Sequence, residues 1–285
     1  MMVFLDLTDD LNTLYRDGTF DLDAWKAWAD KTLPELRDLC FADLEESLGK
    51  GLSWEDDYLP VLNGLTERPD KVEHIRQSFS AVCTDLEESI RETFGRVPDA
   101  LVCLYPGLCN GAGWATEVDG KDAVLLGIEK IVELDWCGKD DMTGLVVHEL
   151  GHLYQKQFGI LERPYDKPED AFLWQLFTEG VAMVFEQAVQ NDPSYYHQDR
   201  DGWKDWCDRH VKEIASDFAK DLPGMTGSNQ RYFGDWVSYQ GQPDTGYYLG
   251  ARVARFALER APFDDLIIWT VAEVRDAFRA FLAEL

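Results

Sequence analysis

The sequence predicts an α+β fold that is mostly helical and has one small, mainly antiparallel sheet. Segments with apolar residues at helical spacing fill the first hundred residues and return after residue 140. Between them, short apolar runs are broken by turn residues, which is typical of strands. The chain has 285 residues, of which 45% are apolar, so it can bury a core and is not a disordered protein.

The first predicted elements are helices. Trp25 and Trp28 lie at helical spacing within residues 21–29, and Pro34 opens a further helical turn. Residues 70–94 form a long amphipathic segment that Gly95 ends. We therefore predict an N-terminal helical region over residues 1–98.

The predicted sheet follows this region. Residues 100–105, 113–118 and 123–128 have strand-like patterns, and Asp119-Gly120 is a hairpin signal between the last two. After the sheet, we predict helices over residues 141–158, 168–189, 203–218, 246–260 and 270–285. Residues 99–285 would form the second region, or the two regions would pack as one compact domain.

Charge and cysteine content limit the partners and the compartment. The chain has 54 acidic and 27 basic residues, a net charge of −27, which repels phosphate backbones and anionic membranes. We expect no nucleic acid and no membrane as partners, and we find no signal peptide or spanning segment. The six cysteines lack a C-x-x-C pair, which favours buried thiols in a cytoplasmic protein over a Cys103–Cys109 disulfide.

A metal-ligand motif lies within the segment that we predict to be the first helix after the sheet. His148, Glu149 and His152 form the pattern H-E-x-x-H. Residues four apart on a helix have Cβ atoms about 5–6 Å apart, so both imidazoles can reach one Zn²⁺ ion at roughly 2.0–2.1 Å. The carboxylate of Glu149 can then take a proton from water that the metal has acidified.

A catalytic zinc also needs a third protein ligand and one open position. Glu179 is the best candidate because it interrupts an otherwise apolar helix, where a bare buried carboxylate would be costly. Glu186, two turns later on nearly the same face, could instead hold a ligand histidine or be solvated.

The sequence His148-Glu149-Leu150-Gly151-His152, followed downstream by Thr178-Glu179-Gly180, resembles the gluzincins, a group of zincin-like metallopeptidases. Residues 100–260 are similar to the small bacterial predicted zinc-dependent proteases of that group. The resemblance implies a zincin-like fold, His148, His152 and Glu179 as zinc ligands, and Glu149 as catalytic base. It also implies that a strand before the motif, with residues 123–128 as the candidate, pairs with an extended substrate.

The same resemblance guides the remaining site residues. A G-Y-x-x-G segment favours Tyr247 as the residue that stabilises the oxyanion, with Tyr248 and Arg252, His197 and His210 as alternatives. Many gluzincins carry an Asp four residues after the ligand Glu, where this chain has Met183. The carboxylate that orients a ligand histidine must then come from elsewhere, for example from Glu186 or Asp135.

These observations predict a zinc metallopeptidase-like hydrolase that acts on a peptide or protein substrate. One alternative is a zinc-binding interaction or regulatory module without turnover, and another is a hydrolase of a non-peptide amide or ester. The acidic surface favours basic or neutral peptides over acidic ones. The sequence leaves the oligomeric state open.

Overall fold

The computed structural model describes residues 1–165, 167–234 and 236–285. They form a mostly helical α+β fold with small sheets, which confirms the predicted fold class at that level. The chain divides into two compact units, Met1–Glu149 and Leu150–Leu285. A boundary near residue 98 remains a sequence prediction.

The main sheet of the first unit is mixed, and the prediction of a mainly antiparallel sheet is wrong. Its strands are β1 (Val3–Asp6), β4 (Leu101–Tyr105), β5 (Gly113–Val118) and β6 (Lys121–Gly127). They lie in the order β1-β4-β6-β5, with β1–β4 and β4–β6 parallel and β5–β6 antiparallel. Parallel neighbours need long crossover connections, and the N-terminal helices provide one between β1 and β4.

The β5–β6 hairpin matches the prediction. Asp119 and Gly120 form its two-residue turn with φ values of 51° and 70°, as a type I′ turn requires. This hairpin makes β5 an edge strand of the sheet and places β6 between β4 and β5. The expectation that residues 123–128 offer a free edge is therefore wrong, because the backbone of β6 is paired on both sides.

The helices of the first unit lie between β1 and β4 in sequence and after β6. Asp21 caps the first of them by accepting hydrogen bonds from the backbone N–H groups of Asp23 and Ala24. Tyr15–Arg16 (β2) and Thr19–Phe20 (β3) form a short hairpin before it. The helices are α1 (Leu22–Thr32), α2 (Pro34–Gly49), α3 (Leu59–Glu67), α4 (Pro69–Phe94), α5 (Ile128–Glu133) and the first part of α6 (Lys139–Phe158).

The second unit is helical throughout its described elements. Tyr154, near the C-terminal end of α6, packs in the core of this unit. Its ring lies 5.1 Å from that of Phe185 and 5.9 Å from that of Phe263. The remaining helices are α7 (Pro168–Val189), α8 (Trp203–Asp221), α9 (Thr245–Leu258), α10 (Phe263–Leu266) and α11 (Val271–Glu284). Helices α7 and α9 cross where Gly180 lies directly against the backbone of Gly250.

Across the described ranges, none of the helices combines the length and the apolar character that a membrane span requires. In the same ranges no disulfide joins any of the six cysteines, so the Cys103–Cys109 alternative is wrong. Burial raises the pKa of the Cys103 thiol to about 12, which keeps it protonated and unreactive at neutral pH.

Candidate metal and catalytic site

Helix α6 carries the H-E-x-x-H motif and is continuous from Lys139 to Phe158. The boundary between the compact units falls inside this helix, after Glu149, so the helix is common to both. His148 and Glu149 are buried, with 3% and 9% of their surfaces exposed. One turn later, the side chain of His152 is 14% exposed. The motif thus has one buried end and one end that solvent reaches.

Glu179 of α7 lies beside this motif. One of its carboxylate oxygens (Oε2) is 3.2 Å from His152 Nε2, and one ligand atom from each of His148, His152 and Glu179 lies within 4.8 Å of the others. Gly151 permits this approach, because a Cβ atom at that position would lie 2.9 Å from Ala182 Cα. The structure therefore brings together the three side chains that the sequence predicts as ligands.

The donor set of this group fits zinc. Two imidazoles and one carboxylate are a ligand combination of catalytic zinc sites, which keep a further position open for solvent or substrate. The partial exposure of His152 and Glu179 leaves room for such access.

A second group adjoins the first and shares His148 with it. One ligand atom from each of His148, Glu186 and His197 lies within 4.8 Å of the others, and all three residues are buried. His197 Nδ1 is 3.0 Å from both carboxylate oxygens of Glu186. The geometry of this contact is that of a hydrogen bond in which the imidazole N–H donates to the carboxylate.

Of the two acids that the sequence analysis names as partners of a ligand histidine, Glu186 lies in this second group. Asp135 is 71% exposed, follows α5 in a turn and forms an ion pair with Lys71. Glu186 is fully buried next to His148, so the option that it is a solvated residue is wrong. Met183, at the position where many gluzincins have Asp, is an apolar core residue. Glu186 lies one turn further along α7 than Met183, and its side chain, which is longer than that of Asp, brings a carboxylate close to the His148 imidazole.

Glu149 has a neighbour in the first unit that the sequence did not reveal. Gly113 opens the edge strand β5, and a Cβ atom there would lie 3.1 Å from Glu149 Cγ and 2.8 Å from Leu145 Cδ1. Both distances are shorter than ordinary van der Waals contact, so a larger residue at position 113 would make the side chains of Leu145 and Glu149 shift. The start of an edge strand thus lies against Glu149.

The oxyanion candidates are found in different surroundings. Tyr247 is half-buried on α9, one turn before Gly250, and its ring packs edge-on against Phe233 at 6.0 Å. Its predicted role is untested by this geometry. Tyr248 is buried and its hydroxyl donates to Asp208 at 2.6 Å, while Arg252 donates to that hydroxyl.

The two histidine alternatives are engaged elsewhere. His197 is buried against Glu186. His210 stacks on Trp206 of its own helix, with ring centroids 4.1 Å apart, and donates from Nδ1 to the Trp206 carbonyl oxygen.

No protein-family model matches this chain. The curated proteins and the solved structures that were compared with it yield no match either. The resemblance to gluzincins therefore depends on the motif residues alone, and the function must be argued from the geometry of the site.

Proposed function

We propose that this protein is a zinc-dependent peptidase. The observation that carries the proposal is the convergence of His148, His152 and Glu179 within 4.8 Å, beside the buried acid Glu149 of α6. An ion pair accounts for the contact of His152 with Glu179, whereas a shared metal accounts for the approach of all three ligand atoms. A zincin-like fold is part of this proposal.

Each side chain of the group has a role in this proposal. His148, His152 and Glu179 would hold the ion, and zinc would supply Lewis acidity that polarises a carbonyl and acidifies water. Glu149 accepts the proton of the attacking water at its carboxylate and later delivers it to the leaving nitrogen. The bond between the peptide carbon and nitrogen breaks. The hydroxyl of water stays on the carbon, and Glu149 passes the proton of that water to the nitrogen.

Glu186 and His197 support the ligand set. A histidine that binds a metal through one nitrogen commonly donates its other N–H to a carboxylate, which fixes the tautomer and the ring orientation. Glu186 is the buried carboxylate next to His148, and its contact with His197 holds that carboxylate in place. In this proposal Glu186 therefore orients the His148 imidazole, and His197 orients Glu186.

An extended peptide is the substrate class that the first unit favours. Strand β5 is an edge of the sheet, and its outer backbone groups can pair with an added strand. Because Gly113 of β5 lies against Glu149, a peptide on this edge would pass close to the catalytic base. The net charge of −27 would attract basic or neutral peptides more strongly than acidic ones at low salt.

The first experiment compares wild type with Glu149→Gln after zinc loading. We expect wild type to bind one zinc per chain by elemental analysis and to cleave members of a fluorogenic peptide library. Glu149→Gln should keep the zinc and lose about 10²–10⁴-fold in kcat/KM, because the proton acceptor is gone. Asp140→Asn, an exposed acid of the same helix, is the matched control and should behave as wild type.

Two results would contradict this proposal. If wild type binds no zinc, the proposed metal site is wrong. If Glu149→Gln cleaves peptides as fast as wild type, Glu149 is not the catalytic base.

One observation favours a second candidate, a zinc-binding module without turnover. All four sequence-based alternatives to Tyr247 as the oxyanion residue are engaged elsewhere. The Tyr248 hydroxyl donates to Asp208 and accepts from Arg252, His197 is buried against Glu186, and His210 donates to the Trp206 carbonyl oxygen. Stoichiometric zinc with no cleavage across the peptide library would support this module. Cleavage of small amides or esters but not of peptides would identify the alternative non-peptide hydrolase.

The other sequence predictions about partners belong to the same proposal. We propose a cytoplasmic protein that acts on peptides or proteins and binds neither nucleic acid nor membranes. The support is the acidic composition and the buried thiols, whose raised pKa values keep them protonated and slow to oxidise. Fractionation of cells that express the tagged chain tests the location.

A further inference from the structure

The loop of residues 106–112 connects β4 to the edge strand β5 and surrounds a buried carboxylate. Glu129 of α5 is 1% exposed and accepts two backbone hydrogen bonds from this loop. Gly107 N–H donates to Oε2 and Cys109 N–H donates to Oε1, both at 2.9 Å. Each carboxylate oxygen therefore holds one point of the loop.

The fit between this loop and Glu129 is tight. A Cβ atom at Gly107 would lie 2.5 Å from Glu129 Oε1, so a larger residue cannot take this position without moving the carboxylate. Cys109 has a φ of 59°, a left-handed conformation that costs energy for a residue with a side chain. The backbone is thus bent around the carboxylate, and the two hydrogen bonds offset the cost of that bend.

The N-terminal helices hold the same loop from other directions. Trp25 of α1 donates its indole N–H to the Pro106 carbonyl oxygen at 2.8 Å. The Asn110 side-chain amide donates to the Cys40 carbonyl oxygen of α2 at 3.1 Å and to the Asp43 carboxylate at 2.8 Å. Helices α1 and α2, which lie between β1 and β4 in sequence, therefore fix the chain that leads into β5.

The far end of this loop reaches the base candidate. Ala112 is followed directly by Gly113, whose backbone lies against the Glu149 side chain and against Leu145. A shift of the loop would move Gly113 along or away from α6. Since a displacement of about 1 Å can cost roughly 10²-fold in rate, the position of this strand matters for any reaction at Glu149.

We propose that Glu129 is a positioning residue that sets the start of β5 against the Glu149 carboxylate through the loop of residues 106–112. The inference rests on the proposed peptidase function and assigns a task to the N-terminal helices, which is to support this wall of the site. Glu129 touches neither substrate nor metal in this role. Its carboxylate holds the backbone of the loop by two hydrogen bonds, and the loop sets the position of β5, the strand that would receive the peptide.

The experiment uses zinc-loaded wild type, Glu129→Gln, Asn110→Ala and Gly113→Ala. Val82→Ala, a core change in α4, is the control for a general loss of stability. Two inhibitors separate the readouts: acetohydroxamate contacts little besides the metal, and N-acetyl-dileucine hydroxamate also occupies the strand edge. Zinc affinity is measured by competition with a chelator.

We expect Glu129→Gln and Asn110→Ala to weaken the dileucine hydroxamate about tenfold or more and to raise KM for the best library peptide. Zinc affinity and acetohydroxamate binding should change less than twofold. Gly113→Ala should lower kcat with zinc still bound, because the added methyl group presses on Glu149. Val82→Ala should leave both inhibitors unchanged at a similar loss of thermal stability.

The inference would be overturned if Glu129→Gln bound the dileucine hydroxamate as tightly as wild type, or lost zinc and both hydroxamates in parallel. Failure of the proposed function looks different, since wild type itself would then bind no zinc or cleave nothing. Amide hydrogen exchange tests the positioning without activity. The exchange rate of the β5 amides should rise in Glu129→Gln but not in Val82→Ala. An unchanged exchange rate in Glu129→Gln would contradict the inference.

Discussion

Two buried glutamates, one in each compact unit, are stabilised by different kinds of partner. Glu129 of the first unit accepts hydrogen bonds from the backbone N–H groups of Gly107 and Cys109. Glu186 of the second unit is fully buried and contacts the imidazole of His197, next to that of His148. Both carboxylates are almost inaccessible to solvent.

The difference shows what each carboxylate can control. A carboxylate that binds backbone groups fixes the path of the chain, so its loss should change where a strand lies. A carboxylate that binds imidazoles fixes the orientation of side chains, so its loss should change how those side chains bind a ligand. In the roles proposed above, Glu129 would therefore position the backbone and Glu186 would orient side chains at the metal site.

The largest expected effect separates the two glutamates by zinc affinity. Glu186→Gln keeps the size of the side chain but removes the charge that favours the N–H groups of the neighbouring imidazoles. We expect zinc affinity to fall about 10–100-fold, as for other residues that orient metal ligands. Glu129→Gln should change it less than twofold in the same chelator competition. Equal losses in both variants would break the distinction.

The second prediction concerns folding stability. Glutamine at position 129 offers one carbonyl oxygen in place of two carboxylate oxygens, so either Gly107 or Cys109 loses its acceptor. We expect the free energy of unfolding to fall by about 1–3 kcal/mol, the usual cost of a buried group left unsatisfied. Urea denaturation followed by tryptophan fluorescence measures it. A variant as stable as wild type would show that water or other groups replace the carboxylate.

The sequence predicted those parts of this comparison that depend on local spacing. The bounds of α7, the β5–β6 hairpin and the placement of His148 and His152 on one helix follow from periodicity and turn residues within short windows. Glu179 could be singled out because an acid in an apolar helix is unusual. The structure brings it to the two histidines, as the sequence suggested it would.

The features that the sequence did not reveal depend on distant partners. Strand β1 pairs with β4 although α1 to α4 lie between them in sequence, and its four-residue run gives no local signal of a parallel neighbour. Glu129 follows Ile128 and precedes Lys130, a context typical of a solvated acid, while its donors lie about twenty residues earlier in the chain. His197 lies outside any periodic segment, so its contact with Glu186 was not predictable from spacing.

A smaller effect tests whether Glu186 depends on its own partner. His197→Asn shortens the side chain but keeps an N–H donor that can reach the carboxylate after slight rearrangement. We expect zinc affinity to fall several-fold, less than for Glu186→Gln, because Glu186 remains next to His148. His210→Asn, on α8, is the control and should bind zinc as wild type does. A loss equal to that of Glu186→Gln would make His197 as important as the carboxylate it holds.

The smallest expected effect is the contribution of the Glu129 carboxyl to the pH dependence of folding stability. Burial raises the pKa of its carboxyl above the ordinary value of 4.5, although the N–H groups of Gly107 and Cys109 oppose this shift. The folded state therefore holds the proton more tightly than the unfolded state, and stability falls as the pH rises from 4.5 through the folded-state pKa. Each pKa unit of difference corresponds to about 1.4 kcal/mol.

Urea denaturation of wild type and Glu129→Gln at several pH values above 4.5 isolates this contribution. The advantage of wild type over the variant should shrink with rising pH and become constant above the folded-state pKa. An advantage that grows with pH would mean that the two backbone donors outweigh burial and lower the pKa. In that case Glu129 would be an anchor that strengthens on ionisation, and its contrast with Glu186 would become sharper.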